Sequence, residues 1–457
     1  MGLQELTRKV VSDLVPAAAK RAGAVDRLVS DQAGSLADSL ALGDRSAPSL
    51  IGRLNQGLAK KAPERLKLKY QHMAISPRRF LTGQPELYAY DMRGLLAQDV
   101  PKVPLLGDLH LNNSGAMTLA NGHVKVRLND FDEAYPGPAA FDLNRMATHI
   151  VLSAQEKGYS EADARKLVSD FAGSYHDTLS ALAAGEKPAK VKMPALLKDV
   201  LKKGKSSDAQ KWLDKRVPEK NGQRAFPRSD SVRSVKPKTL ADMQQAFEGY
   251  RAGLAPEAAQ ALAPYHVSDM VEVLEGTGSM GEARYHVLLE GKGKQTPMLL
   301  QLKEQGLTAP ERYGPRPEAY PSSGARNVTL SNLMDGGLDP LRGSATLPAR
   351  DSLDSGSYLV EPLHPSDGAL DIGDVKKKRD FSQLVRYYGA EVAKAQARGA
   401  DAGFATPGEI LGGLGDRKTL TQGLARFGTQ YAAQVNQDFA AFTKALKRDL
   451  LLKHQAN

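Results

Sequence analysis

The sequence predicts an α+β fold in two halves, and three observations carry that reading. Helical periodicity fills both ends of the chain, strand texture of period two is confined to two stretches, 103–130 and 266–303, and a basic segment lies between them. Hydrophobic residues make up 41% of the 457 and charged residues 25%, the balance of a folded chain with a sizeable core. There is no cysteine, which excludes disulfides, thiolate zinc sites, iron–sulfur clusters and a cysteine nucleophile. No apolar run of about 18 residues is present and the first residues lack an apolar signal core, so no membrane partner and a cytoplasmic location are expected.

Taken in order, residues 3–72 read as helical, with Leu6, Val10, Val11, Leu14 and Val15 at helical spacing, punctuated by Pro63 and by Ser76-Pro77. A second helical piece covers 85–98. The apolar run Val103-Pro104-Leu105-Leu106 leads into Gly107-Asp108, and residues 124–130 alternate as a strand behind an Asn121-Gly122 turn. Residues 141–155 predict a buried helix and 161–184 a further one. Strands follow at 267–274, 282–289 and 298–303, with a turn at 291–293. Residues 305–327 are rich in glycine and proline, 358–363 form one more short strand, and from Phe381 the pattern is helical apart from a loop at 403–415. The expected divisions are an N-terminal helical region (1–75), a catalytic-loop half (76–186), a basic insertion (187–250), a glycine-loop sheet half (251–365) and a C-terminal helical region (366–457).

Charge is concentrated in the insertion. Of the net +10, the segment from Lys187 to Lys238 holds 16 Lys/Arg against 5 Asp/Glu, a net +11 that leaves −1 for the rest. Such a segment suits weak polyanion binding or, more simply, a solvated insertion projecting from the surface.

Two constellations carry chemistry. The first is Gly107-Asp108-Leu109-His110-Leu111-Asn112-Asn113 followed by Asn129-Asp130-Phe131-Asp132-Glu133. Asp108 and Asn113 stand five apart, the spacing of catalytic base and metal-binding Asn in a kinase catalytic loop, and the strand ending at Asp130 brings a second carboxylate. Hard oxygen donors of this kind suit Mg²⁺. His110 belongs with Asp108 in the catalytic loop; taken alone it reads most simply as a brace for that loop, as does Asp142. Asp132 and Glu133 are spare acids or loop charges. The second constellation is Gly276-Thr277-Gly278-Ser279-Met280-Gly281 between two strands, where Gly276, Gly278, Ser279 and Gly281 would cover nucleotide phosphates, with Lys303 at the end of the next strand as phosphate clamp. Glu361, in the strand at 358–363, would stand at the nucleotide. A hairpin with a solvent-seeking lysine is the plain alternative. Kinases present the glycine loop first; here it follows by about 165 residues, which points to a protein-kinase-like two-lobed fold, circularly permuted, with extra helices at both ends.

These residues resemble the bacterial family named domain of unknown function 2252. Its G-D-x-H-x-x-N loop, N-D-F-D-E, G-x-G-S-x-G and Q-x-K-E stretches match residues 107–113, 129–133, 276–281 and 301–304, and the resemblance runs from about 65 to 446. The first half is similar to aminoglycoside and choline phosphotransferases, which implies a kinase-like fold. Departures are Thr82-Gly83 where R-G is usual and Asn113-Ser114-Gly115 for N-F-G. The acid partner of Lys303 is left open between Glu304 and Glu311. The expected activity is ATP- and Mg²⁺-dependent phosphoryl transfer to a hydroxyl of a small molecule. Nucleotidyl transfer with the same parts, and a non-catalytic ATP-sensing or nucleic-acid-binding protein, are the alternatives.

Overall fold

The computed structural model describes residues 46–118, 123–205, 208–274, 282–293, 295–317, 320–349, 356–364 and 368–448. The larger of its cores is helical. Helix Ala139–Glu156 runs through it with 15 of its 18 residues buried, and helices Glu161–Ala183, Lys378–Ala397 and Arg417–Lys447 pack around it. The closeness is set by small residues: a Cβ on Gly428 would stand 2.9 Å from the backbone of Ala147, so these two helices cross in backbone contact. Helix starts follow their caps. Ser160 accepts from the Asp163 amide, Asp416 accepts from that of Thr419, and Thr406 with Glu409 forms a capping box. Residues 47–73 and the C-terminal helices from Lys378 on belong to the body of this core, while Leu6, Val10, Val11, Leu14 and Val15 lie outside the described residues.

Ser76-Pro77 begins a helix where the sequence suggested a break, because Ser76 caps and Pro77 occupies the first turn of helix Pro77–Gly83. The 403–415 loop likewise contains helix Pro407–Leu414, and the Gly/Pro-rich stretch at 305–327 contains the short helix Ala309–Tyr313 and the start of helix Ser323–Asp335. In each case a capping side chain outweighed a poor local propensity.

The catalytic-loop region sits on two small antiparallel sheets. Strand β1 (Lys102–Leu105) pairs with a later strand, Tyr135–Pro138, while β2 (Ser114–Thr118) pairs with β3 (Val124–Leu128) and with Gly368–Ala369. Of these, the strands at 114–118 and 135–138 were hidden by glycine and proline. The loop 106–113 joins β1 to β2, and the turn 129–134 follows β3.

The second half is a six-stranded antiparallel sheet. In chain order its strands are Val232–Ser234, Tyr265–Val273, Arg284–Gly291, Met298–Glu304, Gly343–Thr346 and Ser357–Pro362. The spatial order runs 343–346, 357–362, 298–304, 284–291, 265–273, 232–234. Alternation sorts the sheet's two faces. Met270, Tyr285, Val287, Leu300, Leu302 and Val360 pack under helices Pro237–Ala252 and Pro256–Leu262, whereas Lys303, Gln301 and Glu361 share the other face.

The basic segment departs from the projecting insertion anticipated for it. Helix Ala195–Lys205 lies on β2 and β3, Leu213, Val217 and Phe226 pack on Val271, Val273, Leu288 and Leu299 of the large sheet, and Val232–Ser234 is that sheet's edge strand. Its lysines, among them Lys198, Lys202, Lys211, Lys215 and Lys220, face solvent. Among the described residues no helix is long and apolar enough to cross a membrane.

Candidate active site

The loop carrying Asp108 is held by the central helix of the first core. Asp142, fully buried on its first turn, accepts from the amides of Leu106 (2.8 Å) and Gly107 (3.0 Å), which is the bracing role its position suggested. Burial pushes its carboxyl up to about 7. Gly107 has φ +79°, and a Cβ there would lie 1.9 Å from the Glu133 carbonyl oxygen. Glycine is thus required where the catalytic loop presses on the N-D-F-D-E turn.

Three residues beyond Asp142, and so on nearly the same helical face, Arg145 reaches Asp108. Its Nε donates to Asp108 Oδ1 at 2.6 Å, a second guanidinium nitrogen contacts the same oxygen, and that nitrogen also donates to the Leu81 carbonyl at 3.1 Å. Arg145 is completely buried. Asp108 Oδ2 is left facing His110, whose Nε2 is 3.8 Å away. The His110 ring stacks on His149 at 5.5 Å between centroids. Burial lowers the pKa of both imidazoles, that of His149 farther, so both are neutral at pH 7. Sequence alone assigned Arg145 no role; its i+3 spacing from Asp142 was the available signal.

Asn113 is buried, and its Oδ1 accepts the His110 amide at 2.5 Å, while its Nδ2 has no hydrogen-bond partner among the described residues. The Asn113 carbonyl accepts from the Asn129 amide at 3.2 Å, so Asn113 and the Asp130 turn are neighbours. Asp130 takes a left-handed φ of +64°, one of two described non-glycine residues to do so. Crowding by the cleft walls and the adjacent Asp132 carboxylate push Asp130 up to about 7. Burial works against ionised Asp132 as well, but the Lys303 ammonium, and then Arg284, hold it below its ordinary value.

Lys303 joins the halves. Its Nζ lies 3.6 Å from Asp132 Oδ2 and 3.8 Å from Glu361 Oε2, and despite burial these charges keep its pKa raised. Gln301, across the ladder from Glu361, leads to the same cleft face. Neither acid first considered for Lys303 is its partner. Glu304 accepts the Ala283 amide at 2.7 Å, and Glu311 pairs with Arg326 at 2.5 Å while capping Thr308. Helix Ser323–Asp335, which follows the lysine strand where a kinase places its paired glutamate, contains no glutamate. Asn327 of that helix donates to the Phe131 carbonyl (2.8 Å) and to Gln305 (2.9 Å), and Gln305 donates to Asp132 at 3.2 Å. Gly276, Gly278, Ser279 and Gly281 lie outside the described residues. The strands on either side of them are antiparallel neighbours, with Glu272 opposite Tyr285.

The donors available to a cation are few and hard. Among the described residues no group of three or more His, Asp or Glu side chains is arranged to hold a metal. Two adjacent carboxylates competing for one proton fit Mg²⁺, which keeps waters and takes further oxygens from phosphates. The chemistry open to this arrangement is proton acceptance at Asp108 Oδ2.

No curated protein and no solved structure matches the chain. The family described as "Uncharacterized protein conserved in bacteria (DUF2252)" matches residues 61–445, well over half of the chain, and the protein belongs to it.

Proposed function

We propose that the protein is an ATP- and Mg²⁺-dependent phosphotransferase acting on a hydroxyl of a small molecule. The observation that carries this reading is the meeting of two half-sites about 170 residues apart in sequence: Lys303 of the sheet stands against Asp132 of the turn that adjoins the Asp108 loop. A phosphoryl-transfer site needs that combination of a base, a cation-binding acid and a phosphate-pairing lysine. The strand order supports it too. A hairpin flanking the glycine motif, a lysine strand, helices and two returning strands, the last beside the lysine strand, is the sequence of parts a kinase uses around ATP.

In this reading Asp108 Oδ2 receives the acceptor's hydroxyl proton as that oxygen attacks the γ-phosphorus and the bond to the β–γ bridging oxygen breaks. Arg145 holds the other carboxylate oxygen, so Asp108 presents one lone-pair set in one direction. Lys303 pairs with phosphate oxygens, and Glu361 and Asp132 orient it. Asp130 and Asp132, with Asn113 behind them, would hold Mg²⁺, which when bound neutralises charge on the phosphates. The loop with His110 in place of a protein-kinase lysine favours a small acceptor.

The test is calorimetric binding of ATP with Mg²⁺ to purified protein, followed by γ-phosphoryl release and transfer to a panel of small hydroxyl compounds. Nucleotide binding with transfer that Asp108→Asn abolishes is the expected result. Absence of ATP binding would end this reading.

A further inference from the structure

Lys69 lies on helix Pro63–Met73, outside both half-sites, and is 5% exposed. The other buried cations among the described residues are matched: Arg145 by Asp108, Arg326 by Glu311, Arg342 by Asp335 and Glu361. Lys69 has neither a hydrogen bond nor an ion pair within 4.0 Å among the described residues. A lysine whose stem is buried and whose ammonium has no carboxylate or carbonyl partner is suited to receive an anion.

Its surroundings locate it at the cleft. One turn earlier on the helix, Arg65 pairs with Glu272 at 3.4 Å, on the strand that leads into the glycine motif. The charge of Lys69 acts on Glu282, at the start of the returning strand. Glu282 in turn feels Asp132 and Glu304, so Lys69 borders the same cleft as Lys303. The carboxylates nearby do not neutralise it. Glu282 is exposed and stands more than 4.0 Å from it, and Glu86 is engaged by Gln84 at 2.8 Å.

We propose that Lys69 is an anion-binding residue of the cleft, taking a phosphate oxygen of the ligand held there. The assignment rests on the phosphotransferase reading for the identity of that ligand, but not for the anion itself. Phosphoryl transfer gains from a second cation on the transferring group, supplied from outside the phosphate cradle, and a helix that docks on the glycine-motif strand through Arg65 is placed to supply one.

The experiment compares full-length wild type with Lys69→Met and Lys69→Arg by titration calorimetry with three probes in Mg²⁺: inorganic tripolyphosphate, ATP and adenosine. Methionine fills the lysine's space without charge, so the ligand-free Lys69→Met protein should melt no lower than wild type. It should bind tripolyphosphate and ATP about tenfold or more weakly, as loss of one charge-assisted hydrogen bond requires, and adenosine unchanged. Lys69→Arg should stay within about threefold of wild type, since it keeps the charge. A Lys69 dependence seen only for inorganic phosphate added to ADP-saturated protein would assign the phosphate to the acceptor. Tripolyphosphate binding that needs Lys69 in a protein indifferent to ATP would keep this proposal and end the nucleotide reading. Equal anion affinities in wild type and Lys69→Met would overturn the proposal and leave the nucleotide reading standing. A Lys69→Met protein that melts lower than wild type while binding both anions normally would make Lys69 structural and overturn it too.

Discussion

Asp108 has one oxygen committed and one free. The commitment is to a buried guanidinium that also holds the Leu81 carbonyl, so the carboxylate cannot rotate without breaking two contacts. Asp108→Asn keeps the shape of the group but cannot take a proton. Transfer should fall by roughly 10²- to 10⁴-fold, the usual share of general-base catalysis, with ATP affinity near wild type and a lowered melting temperature, since the buried Arg145 loses its counter-charge. Stopped-flow phosphate release and calorimetry together measure this. Gly107→Ala probes the other side of the loop. A left-handed φ and a Cβ 1.9 Å from the Glu133 oxygen predict a loss of about 1–3 kcal/mol from backbone conformation alone, with more from displacing the turn, read as a shift in the urea midpoint. The sequence suggested that Asp142 braces this loop, as its hydrogen bonds to the Leu106 and Gly107 amides show. It did not show Arg145, because a helical arginine three residues from a bracing acid reads as surface charge until the helix is known to be buried on nearly every side.

At the scale of elements, the strands around the glycine motif were legible to within a residue or two, because period-two alternation survives wherever one face is buried. The basic segment was misread for the opposite reason. Three apolar residues, Leu213, Val217 and Phe226, are scattered among 16 basic ones, and charge concealed a short sequence that covers one face of a sheet. The segment is therefore part of the fold. Phe226→Ala should cost about 3–5 kcal/mol in chemical denaturation, as emptying a packed aromatic site does, while substitution of the exposed Lys211 should change stability by no more than about 0.5 kcal/mol. Residues 135–138 and 114–118 could not be read as strands, since Pro136, Gly137 and Pro138 argue against one and Ser114-Gly115 reads as a turn; register with a partner supplies what propensity withholds.

For the molecule as a whole, buried histidines make stability fall on the acid side. Burial, then Arg216 and Arg284, lower the His286 pKa to about 4, and its Nε2 has no hydrogen-bond partner. Burial also lowers that of His149. In the unfolded chain both titrate near 6.5. Between pH 6.5 and about 4 the unfolded chain takes up protons that the folded histidines refuse, so their contribution to stability falls as pH falls through that window, by at most about 1.4 kcal/mol per pH unit for each, while Asp130 and Asp142, pushed up to about 7, contribute with the opposite sign. Urea titrations of wild type and His286→Phe at pH 7.5, 6 and 5 isolate the histidine's share, and the stability of wild type relative to the variant should fall as pH falls. The two-halved α+β organisation was visible in the chain's texture, and so was the reversed order of the two constellations. That helix Arg417–Lys447 closes on helix Ala139–Glu156 was not, because contacts between residues near 147 and 428 leave no trace in local pattern.

That last contact has a consequence for synthesis. Helix Ala139–Glu156 waits for Gly428 to reach its Ala147, so during translation the Asp108 loop is made early while the helix that carries its braces lacks its final neighbour for nearly three hundred residues. The sheet half emerges complete in between and has all its strands by Pro362. A nascent chain should thus gain its sheet first and complete the core that braces the Asp108 loop only once helix Arg417–Lys447 has emerged. Arrested chains of increasing length, probed by limited proteolysis, should show protection of 265–362 well before that of 139–183.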